Sequence, residues 1–427
     1  MPEGSVGTLV GADSRIVEAL REAAPQVLAI LVSRYRQFEA CEDAVQEALL
    51  AATLQWPDQG MPDNPRAWLT TVATRRLADQ WHSDQARRRR EATAVALDTP
   101  TERAAPGPDE GPPDRDDSLM LLFLCCHPDL SPASQIALTL RAFGGLTTAE
   151  IAAALLTPES TVAQRISRAK QRIRSVGIQY PLSGEMYTSR LQVVLHVLYL
   201  IFNEGYASSS GPDLVRSELT REAIRLTRTV HGLLPQDGEV TGLLALMLLT
   251  DARSQARTAP DGALIPLTEQ DRSRWSQRGI QEGVALITRA LGSGGPIGQY
   301  QLQAAIAAVH AEAAQPQDTD WRQILALYEL LEKTSSNPMI TLGRAVTVAM
   351  VRGPEEGLAL LARLDTDKRM RDHHRFHAVR GHLLEMAGDL SAARDSYQLA
   401  ARATNSVPEQ RYLARRSAQL GESAQPA

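Results

Sequence analysis

Arginine, lysine and hydroxyl side chains are concentrated in the segment 155–174, at a spacing that could serve DNA binding. The segment reads LLTPESTVAQRISRAKQRIR, and its apolar residues at i, i+4, i+7 and i+11 predict one buried helical stripe. That stripe comprises Val162, Ile166, Ala169 and Ile173. Polar side chains near the start of such a helix can reach base edges, and later arginines can reach phosphates. The predicted DNA-facing residues are Ser160, Thr161, Gln164, Arg165, Ser167, Arg168, Lys170, Arg172 and Arg174.

A second helix is predicted directly before this one. Thr147 and Glu150 have the spacing of a capping box, so a helix should span 148–155. Leu156 begins the break, and Thr157 is predicted to cap the next helix, with the following proline in its first position. Two helices joined by so short a turn predict a helix-turn-helix. A solvated basic helix is the alternative, but the capping box and the buried stripe together favour DNA binding.

An acidic surface is predicted near the N-terminus, in the stretch CEDAVQEALLAATL. Its predicted buried face comprises Ala44, Val45, Ala48 and Leu49. Its predicted exposed face comprises Glu42, Asp43, Gln46 and Glu47. A helix capped by Asn64 follows, with proline in its first position, and it carries Arg66, Arg75 and Arg76. An acidic face beside a basic one with interleaved tryptophans predicts two partners, a basic protein and a nucleic acid.

The composition predicts an all-α protein of several domains. The chain has 427 residues, of which 43% are hydrophobic but only 4% aromatic, and no stretch alternates as a strand does. The segment 84–117 is rich in proline, glycine and acidic residues and predicts a flexible linker. The net charge of −5 argues weakly against a nucleic-acid binder, so DNA contacts should use local basic patches.

The cysteine count and the N-terminus predict a cytoplasmic protein. Three cysteines without a C-x-x-C pair indicate a reducing compartment. The N-terminus lacks the basic start and apolar core of a signal peptide. The longest apolar runs are too short to span a bilayer, so no membrane contact is predicted.

Two clusters could bind a metal but are better explained by packing. Cys125, Cys126 and His127 have no further ligand at zinc spacing, which favours a buried cysteine pair. His373 and His377 lie at i and i+4 but lack an evident third ligand. No P-loop, nucleophile elbow or carboxylate pair with a base is present. The sequence therefore predicts no metal, no cofactor and no enzyme.

The region 184–420 is predicted to be a large helical domain with a tetratricopeptide-like (TPR-like) repeat. The small and aromatic offsets of that repeat are matched by Gly381, Ala393, Tyr397 and Ala400. An irregular helical bundle is the alternative. Near the start of this region, the stretch NEGY at 203–206 closes an apolar helix. Gly205 is predicted to end that helix in the left-handed conformation.

The order of these motifs resembles the extracytoplasmic-function (ECF) sigma factors of bacterial RNA polymerase. EDAVQEALLAA and NPRAWLTTVATRRLADQW are similar to sigma region 2, and GGLTTAEIAAALLTPESTVAQRISRAKQRIR is similar to region 4. YLIFNEGYASSSG, LLALMLLTDAR, QDRSRW and YQLQAAIAAVHA are similar to the TPR-like C-terminal extension of one ECF subfamily. The resemblance covers nearly the whole chain. It implies the domains 14–83 (region 2), 84–117 (flexible acidic linker), 118–177 (region 4) and 184–420 (helical extension).

The resemblance also implies a site for each partner. Core polymerase would be bound through its β′ coiled coil and β flap, with region 2 contributing Asp43, Gln46 and Glu47. The −10 promoter element would be opened and read by Thr71, Thr74, Arg75, Arg76 and Gln80. The −35 element would be read by Glu159, Ser160, Gln164, Arg165, Ser167 and Arg168. Many ECF factors have glycine where Leu156 stands and asparagine where Arg75 stands, and the second departure weakens any guess at the preferred −10 base.

Two classes of function stay open at this point. A sigma factor is favoured, with a C-terminal domain that regulates its activity. The alternative is a helix-turn-helix regulator that binds an operator and senses through a TPR-like domain. The block that resembles region 2 favours the sigma factor, because such a regulator needs no polymerase-docking helix. Whether the extension inhibits, activates or recruits is open, as is the protein or ligand it would bind.

Overall fold

The computed structural model describes residues 6–92, 115–155, 157–176, 184–208, 210–211, 213–335 and 337–423. These residues form helices joined by turns, which confirms the predicted all-α fold. The chain divides into an N-terminal unit, Met1–Val197, and a C-terminal unit, Leu198–Ala427. In the described part of the chain, no helix combines the length and the apolar character needed to cross a membrane.

Three long helices and four shorter ones make up the N-terminal unit within the described ranges. They are α1 (Val6–Tyr35), α2 (Phe38–Gln59), α3 (Pro65–Ala92), α4 (Arg115–Cys125), α5 (Pro132–Leu138), α6 (Thr148–Leu155) and α7 (Glu159–Val176). A π-helical turn, Thr139–Phe143, follows α5, and α8 (Gly184–Tyr206) contains the boundary between the units. Helices α1 to α3 pack on one another, and α5 and α6 pack on α7.

Helix α4 is apolar on all sides and holds the N-terminal unit together. Every residue from Leu119 to Cys126 is buried. The helix packs against α1 on one side and against the π-helical turn on the other. A helix that is hydrophobic all round is stable only when it is enclosed. The helices before and after the predicted linker therefore share one core.

The predicted linker 84–117 is wrong at both ends. Helix α3 continues to Ala92, and α4 begins at Arg115. The stretch DQARRRREA at 84–92 consists largely of alanine, arginine and glutamate, which favour helix over coil. The remainder of the predicted linker, 93–114, lies outside the described residues.

The C-terminal unit is a succession of helices that pack on their neighbours in the chain. They are α9 (Ser217–Leu233), α10 (Gly238–Asp251), α11 (Gln277–Gly292), α12 (Gln299–Glu312), α13 (Trp321–Thr334), α14 (Pro338–Arg352), α15 (Pro354–Ala362), α16 (Lys368–Arg371), α17 (His374–Met386), α18 (Leu390–Ala403) and α19 (Val407–Ser423). Short 3-10 turns lie at Ser254–Ala256, Leu267–Glu269, Arg272–Arg274 and Pro316–Asp318. Two strands, β1 (Ser210–Gly211) and β2 (Asn405–Ser406), pair in parallel.

The predicted repeat positions meet where α17 packs on α18. Ala393, Tyr397 and Ala400 are buried there. Gly381 is also buried, and a Cβ atom at this position would lie 3.0 Å from the ring of Tyr397. The Tyr397 hydroxyl donates a hydrogen bond to Glu385 Oε2 (2.9 Å). Small residues therefore allow the close helix approach that the repeat pattern predicts.

The prediction of a left-handed C-cap at Gly205 is wrong. Gly205 lies within α8, and its φ is not positive. A Cβ atom at this position would lie 2.5 Å from the backbone nitrogen of Thr220. The Gly205 carbonyl also accepts a hydrogen bond from the Arg216 backbone nitrogen (2.7 Å). A glycine is needed here because another helix approaches, not because the backbone turns.

Candidate nucleic-acid interface

Local hydrogen bonds set the start of α6. The Thr147 backbone nitrogen donates to Glu150 Oε2 (2.7 Å), and the Glu150 backbone nitrogen donates to Thr147 Oγ1 (3.1 Å). This reciprocal pair confirms the predicted capping box. The bounds of α6 agree with the predicted span 148–155.

The turn before α7 differs from the prediction in one detail. The Pro158 carbonyl accepts the first hydrogen bond of the helix, from the Val162 backbone nitrogen (3.2 Å). Thr157 is therefore not the N-cap, and its hydroxyl instead donates to the Leu155 carbonyl (3.2 Å). Leu156 lies outside the described residues. The short connection between α6 and α7 nevertheless agrees with a helix-turn-helix.

The predicted buried stripe of α7 is confirmed. Val162, Ile166, Ala169 and Ile173 are all buried. The six residues assigned to the −35 element lie off this stripe, and only Arg165 among them is partly buried. Neither Arg165 nor Arg168 forms an ion pair with any described residue. Their guanidinium groups are therefore free to donate to an external acceptor.

The other basic residues of α7 have partners within the N-terminal unit. Lys170 Nζ lies 2.5 Å from Glu42 Oε2, and Arg174 forms an ion pair with Glu39. Both acids belong to α2. Arg172 pairs with Asp129 at 2.8 Å. The basic surface of α7 thus divides into an unpaired N-terminal part and a paired C-terminal part.

The predicted exposure of Glu42 is wrong. Only 4% of its side chain is exposed, because α7 and the π-helical turn cover it. Its Oε1 atom accepts a hydrogen bond from Arg141 Nε (3.3 Å), and its Oε2 atom faces Lys170. A buried carboxylate is tolerated only when cations compensate the lost hydration. The single-helix pattern could not show these partners, since Arg141 lies 99 residues further along the chain and Lys170 lies further still.

The remaining acidic face of α2 is exposed, as predicted. It comprises Asp43, Gln46 and Glu47. Partial burial raises the pKa of Asp43, and the nearby Lys170 opposes that rise. Two leucines that the sequence analysis did not single out extend this face, Leu50 with 62% and Leu54 with 69% exposed. Their spacing of three and seven residues from Glu47 was the signal, because such positions share one helix face.

The residues assigned to the −10 element lie on two sides of α3. At about 100° per residue, Thr71, Thr74 and Arg75 fall within one arc, while Arg76 and Gln80 fall on the opposite side. Arg75, Arg76 and Gln80 are exposed, and the two threonines are partly buried. Arg76 Nε lies 3.5 Å from Glu47 Oε2, so this cation is shared with the acidic face of α2.

The cysteines and histidines do not form a metal centre within the described residues. Cys125 and Cys126 are buried and unbridged, as the packing interpretation predicts. Burial raises the pKa of both thiols, that of Cys126 to about 12, so neither is a ready thiolate. His373 Nδ1 accepts a hydrogen bond from the Arg375 backbone nitrogen (3.2 Å) and serves as the N-cap of α17.

Comparison with known proteins identifies three parts of the chain. Residues 20–88 match the family described as Sigma-70 region 2, and residues 120–173 match Sigma-70, region 4. Residues 190–291 match a family of unknown function, DUF6596. An uncharacterized protein of Rhizobium meliloti (strain 1021) is 39% identical over 402 residues, which cover 92% of this chain and 93% of that protein.

These matches fall on the structural features already described. The region 2 match contains α2 and most of α3, and the region 4 match contains α6 and most of α7. Proteins with both regions bind core RNA polymerase and promoter DNA, and sigma factors as a class are not enzymes. The chain therefore belongs to the sigma-70 family, as an ECF-like RNA polymerase sigma factor that acts in promoter recognition and carries an additional helical C-terminal domain.

Proposed function

We propose that α7 reads the −35 element in the major groove while α3 opens and reads the −10 element. The observation that carries this proposal is the division of α7. Its buried stripe fixes the helix on the domain, and its first ten residues include Arg165 and Arg168, which form no ion pair with a described residue. Arginine donates two parallel hydrogen bonds to guanine or to phosphate, so unpaired arginines at a helix start suit a major-groove reader.

The exposed face of α2 is the proposed docking surface for the β′ coiled coil of core polymerase. It combines the carboxylates of Asp43 and Glu47 with the apolar side chains of Leu50 and Leu54. Charged groups steer association, whereas buried apolar anchors supply most of the affinity of an interface. The two exposed leucines are therefore the proposed apolar anchors beside the acidic residues of this surface. The β flap is the proposed second contact, through region 4.

We further propose that the contact between α2 and α7 belongs to the free chain and opens on the promoter. The −35 and −10 elements lie about 25 base pairs apart, roughly 85 Å along the helix axis. Helix α7 has 18 residues and is about 27 Å long. It contacts α2 through Lys170 and Glu42, and α2 packs on α3. In this arrangement the two DNA-reading helices, α7 and α3, are too close to occupy both elements together. Polymerase binding would compete for the acidic residues of α2.

The C-terminal domain, proposed to span 184–420, is assigned control over this opening. The linker that the composition of 84–117 predicts would allow the separation. The proposed place of action is the cytoplasm, where the polymerase transcribes. Neither assignment requires catalysis or a cofactor by the chain itself.

Run-off transcription with core polymerase and the full-length chain tests the proposal. The chain should direct transcripts from a subset of templates with randomised −35 and −10 elements. Leu50→Asp should weaken core binding roughly tenfold or more, because it removes an apolar anchor and adds a like charge to the surface. Gln55→Asp, which adds the same charge further along α2, is the matched control.

A different result would favour the alternative function. The chain would be an operator-binding regulator if it bound one DNA sequence tightly without polymerase and gave no transcript when core polymerase was added. Equal losses of core binding for Leu50→Asp and Gln55→Asp would mean that the added charge, and not the loss of an apolar contact at Leu50, weakens binding.

A further inference from the structure

Three arginines of the C-terminal unit are partly or fully buried without a carboxylate partner. They are Arg253, Arg257 and Arg272. No acidic oxygen among the described residues lies within ion-pair distance of any of them. The other partly buried arginines of this unit each have such a partner. These pairs are Arg216 with Glu204, Arg225 with Glu222, Arg344 with Glu332, and Arg416 with Glu385. Buried charges are ordinarily paired or otherwise compensated. Arg257 is compensated, because it donates to the Tyr206 carbonyl and lies over the Tyr206 ring, with its Cζ atom 3.7 Å from the centroid. Arg253 and Arg272 are the exceptions that require an explanation.

The fold brings two of these arginines together with a tryptophan. The turn Ser254–Ala256 contacts the turn Arg272–Arg274. The Ser276 backbone nitrogen donates to the Ala252 carbonyl (2.9 Å), which fixes the position of Arg253 beside the second turn. The Arg272 guanidinium lies over the ring of Trp275, with its Cζ atom 4.6 Å from the centroid. We call Arg253, Arg272 and Trp275 the Arg253 cluster.

Arg253 lies at the centre of this cluster. Its charge lowers the pKa of Arg272 and of Arg257, in addition to the larger effect of burial on each. Burial, Arg253 and Arg272 together lower the pKa of His310 to about 4. The His310 imidazole is therefore neutral near pH 7 and cannot serve as a further cation. Like charges at such distances repel one another, and this repulsion is relieved when an anion binds.

Three nitrogen atoms of the cluster are buried without a hydrogen-bond acceptor. They are Arg253 Nε, Arg272 Nε and Trp275 Nε1. Arg272 Nη1 does donate to the His310 carbonyl (2.8 Å), which holds this guanidinium in place. Trp275 is 3% exposed, so bulk water does not satisfy its indole nitrogen. A buried donor without an acceptor is costly, and an oxyanion offers several acceptor lone pairs at once.

We infer that the Arg253 cluster is a binding site for a small oxyanion, the phosphate or carboxylate group of a small molecule. The geometry supplies fixed donors and a positive charge. No carboxylate of the described residues lies within ion-pair distance of Arg253 or Arg272, and Asp318 acts on Arg272 only from farther away. Guanidinium groups recognise such planar or tetrahedral oxyanions through paired hydrogen bonds. The site lies in the segments 252–257 and 272–275, outside the residues proposed to contact DNA or polymerase. Such a site would allow the C-terminal domain to respond to the concentration of a small molecule.

A small anion fits these observations better than the backbone of duplex DNA. The unsatisfied nitrogen atoms are fully buried, and a duplex presents its phosphates on a broad convex surface that cannot enter such positions. The exposed arginines of the neighbouring turn, such as Arg274, would be the expected contacts for a duplex. DNA binding at this surface is therefore a separate possibility that the experiment distinguishes.

Hydrogen–deuterium exchange of the full-length chain, read by mass spectrometry, tests the inference. Exchange is measured in inorganic phosphate, in malonate and in sodium chloride at equal ionic strength. Phosphate or malonate should slow exchange in peptides that contain 252–276 and 310–313, and sodium chloride should not. Whichever of the two anions protects at the lower concentration identifies the head group. Because exchange is resolved by segment, anion binding to the basic helix α7 is read separately.

Matched variants connect the protection to Arg253. Arg253→Gln should weaken the protecting anion roughly tenfold or more, the loss expected for one charge-assisted pair of hydrogen bonds. Arg274→Gln removes an exposed arginine from the neighbouring turn and should leave the protection unchanged. The exchange measurement on the wild-type chain tests anion binding without either variant. A variant that failed to fold would therefore leave that test intact.

Three results would overturn the inference. The first is no segment-specific protection by phosphate or malonate, which would mean that water satisfies the buried nitrogen atoms. The second is equal loss of protection in Arg253→Gln and Arg274→Gln. The third is protection of 252–276 by a DNA duplex but by neither small anion.

Discussion

One cluster of partly buried cations in each unit shows a contrast, because only the cluster in the N-terminal unit encloses a carboxylate. In the N-terminal unit, Lys170 and Arg141 enclose the buried carboxylate of Glu42. In the C-terminal unit, Arg253 lowers the pKa of the nearby Arg272, and no described carboxylate lies within ion-pair distance of either, although Asp318 acts on Arg272 from farther away. A partner of the first site must compete with an existing ion pair. A partner of the second site can bind without breaking an ion pair. Cationic side chains therefore suit a contact that can open around Glu42 and a ligand-binding site at Arg253.

The largest effect is expected from removing the buried acid. Glu42→Gln leaves Arg141 and Lys170 without their counter-charge, and breaking a buried pair from one side costs about 3–5 kcal/mol. We expect the unfolding free energy of the N-terminal unit to fall by about this amount in urea titrations. Asp43→Asn changes the adjacent, exposed acid and serves as the control. Similar losses for both variants would mean that the enclosure of Glu42 is not what matters.

A smaller effect, confined to binding, is expected for the unpaired arginine Arg168. Arg168→Ala should cost about 1–3 kcal/mol in holoenzyme binding to a preferred −35 sequence, because one bidentate base contact is lost. The unfolding free energy should not change, since no internal ion pair is broken. Arg172→Ala, which breaks the exposed pair with Asp129, is the control on the same helix. Equal weakening on every DNA sequence would make Arg168 a phosphate contact instead.

The unpaired cations of the C-terminal unit predict a pH dependence. The pKa of His310 is lowered from its ordinary 6.5 to about 4 by burial, Arg253 and Arg272. The unfolded chain therefore takes up a proton first as the pH falls below about 6.5, and the folded state loses stability between about pH 6.5 and 4. We expect the unfolding free energy of this unit to fall by about 1–2 kcal/mol between pH 7 and 5 on this account.

Two variants attribute this dependence. His310→Gln should remove that part of the loss, because no group titrates at the position. Arg253→Gln should reduce it, because the pKa of His310 rises when a neighbouring cation is removed. The negative charge of Asp318 raises the pKa of Arg272 and so opposes the repulsion between Arg272 and Arg253. Asp318 should therefore be kept in both variants. An unaltered pH dependence in His310→Gln would show that other groups cause it.

The smallest effect is expected for the exposed pair between Glu47 and Arg76. Their side chains are 59% and 51% exposed, and an exposed ion pair contributes at most about 1 kcal/mol. A double-mutant cycle with Glu47→Gln and Arg76→Gln should give a coupling energy below this limit. The measurement sharpens the contrast with Glu42, because both acids lie on α2. A coupling as large as that of Glu42 would contradict the distinction between buried and exposed pairs.

Most features of the helix-turn-helix that depend on a few neighbouring residues were predicted correctly, although the N-cap of α7 is not Thr157. The capping box of Thr147 and Glu150 is one case, because its two hydrogen bonds lie within one turn. The buried stripe of α7 is another, because helix periodicity alone assigns its face. The assignments of individual residues to polymerase and promoter contacts stay predictions. They follow from the family resemblance and are addressed by the experiments above.

Features that depend on distant packing were predicted wrongly or not at all. Glu42 was expected to be exposed, but its partners Arg141 and Lys170 come from another part of the chain. Gly205 was expected to end a helix, but it makes room for the backbone at Thr220. The Arg253 cluster was not predicted. Its two turns, Ser254–Ala256 and Arg272–Arg274, are separated by a segment without an α-helix or a recognisable sequence pattern, and they come together only in the folded unit.

The sequence by itself determined the helical fold, the helix-turn-helix and the resemblance to sigma factors. Periodicity, caps and motif order are local properties, and the hydrogen bonds behind them span only a few residues. The tertiary structure alone decided which charges are paired. Ion pairing depends on distance and burial between residues far apart in the chain. Only folding therefore shows that Glu42 has two cationic partners and that Arg253 has no carboxylate partner among the described residues.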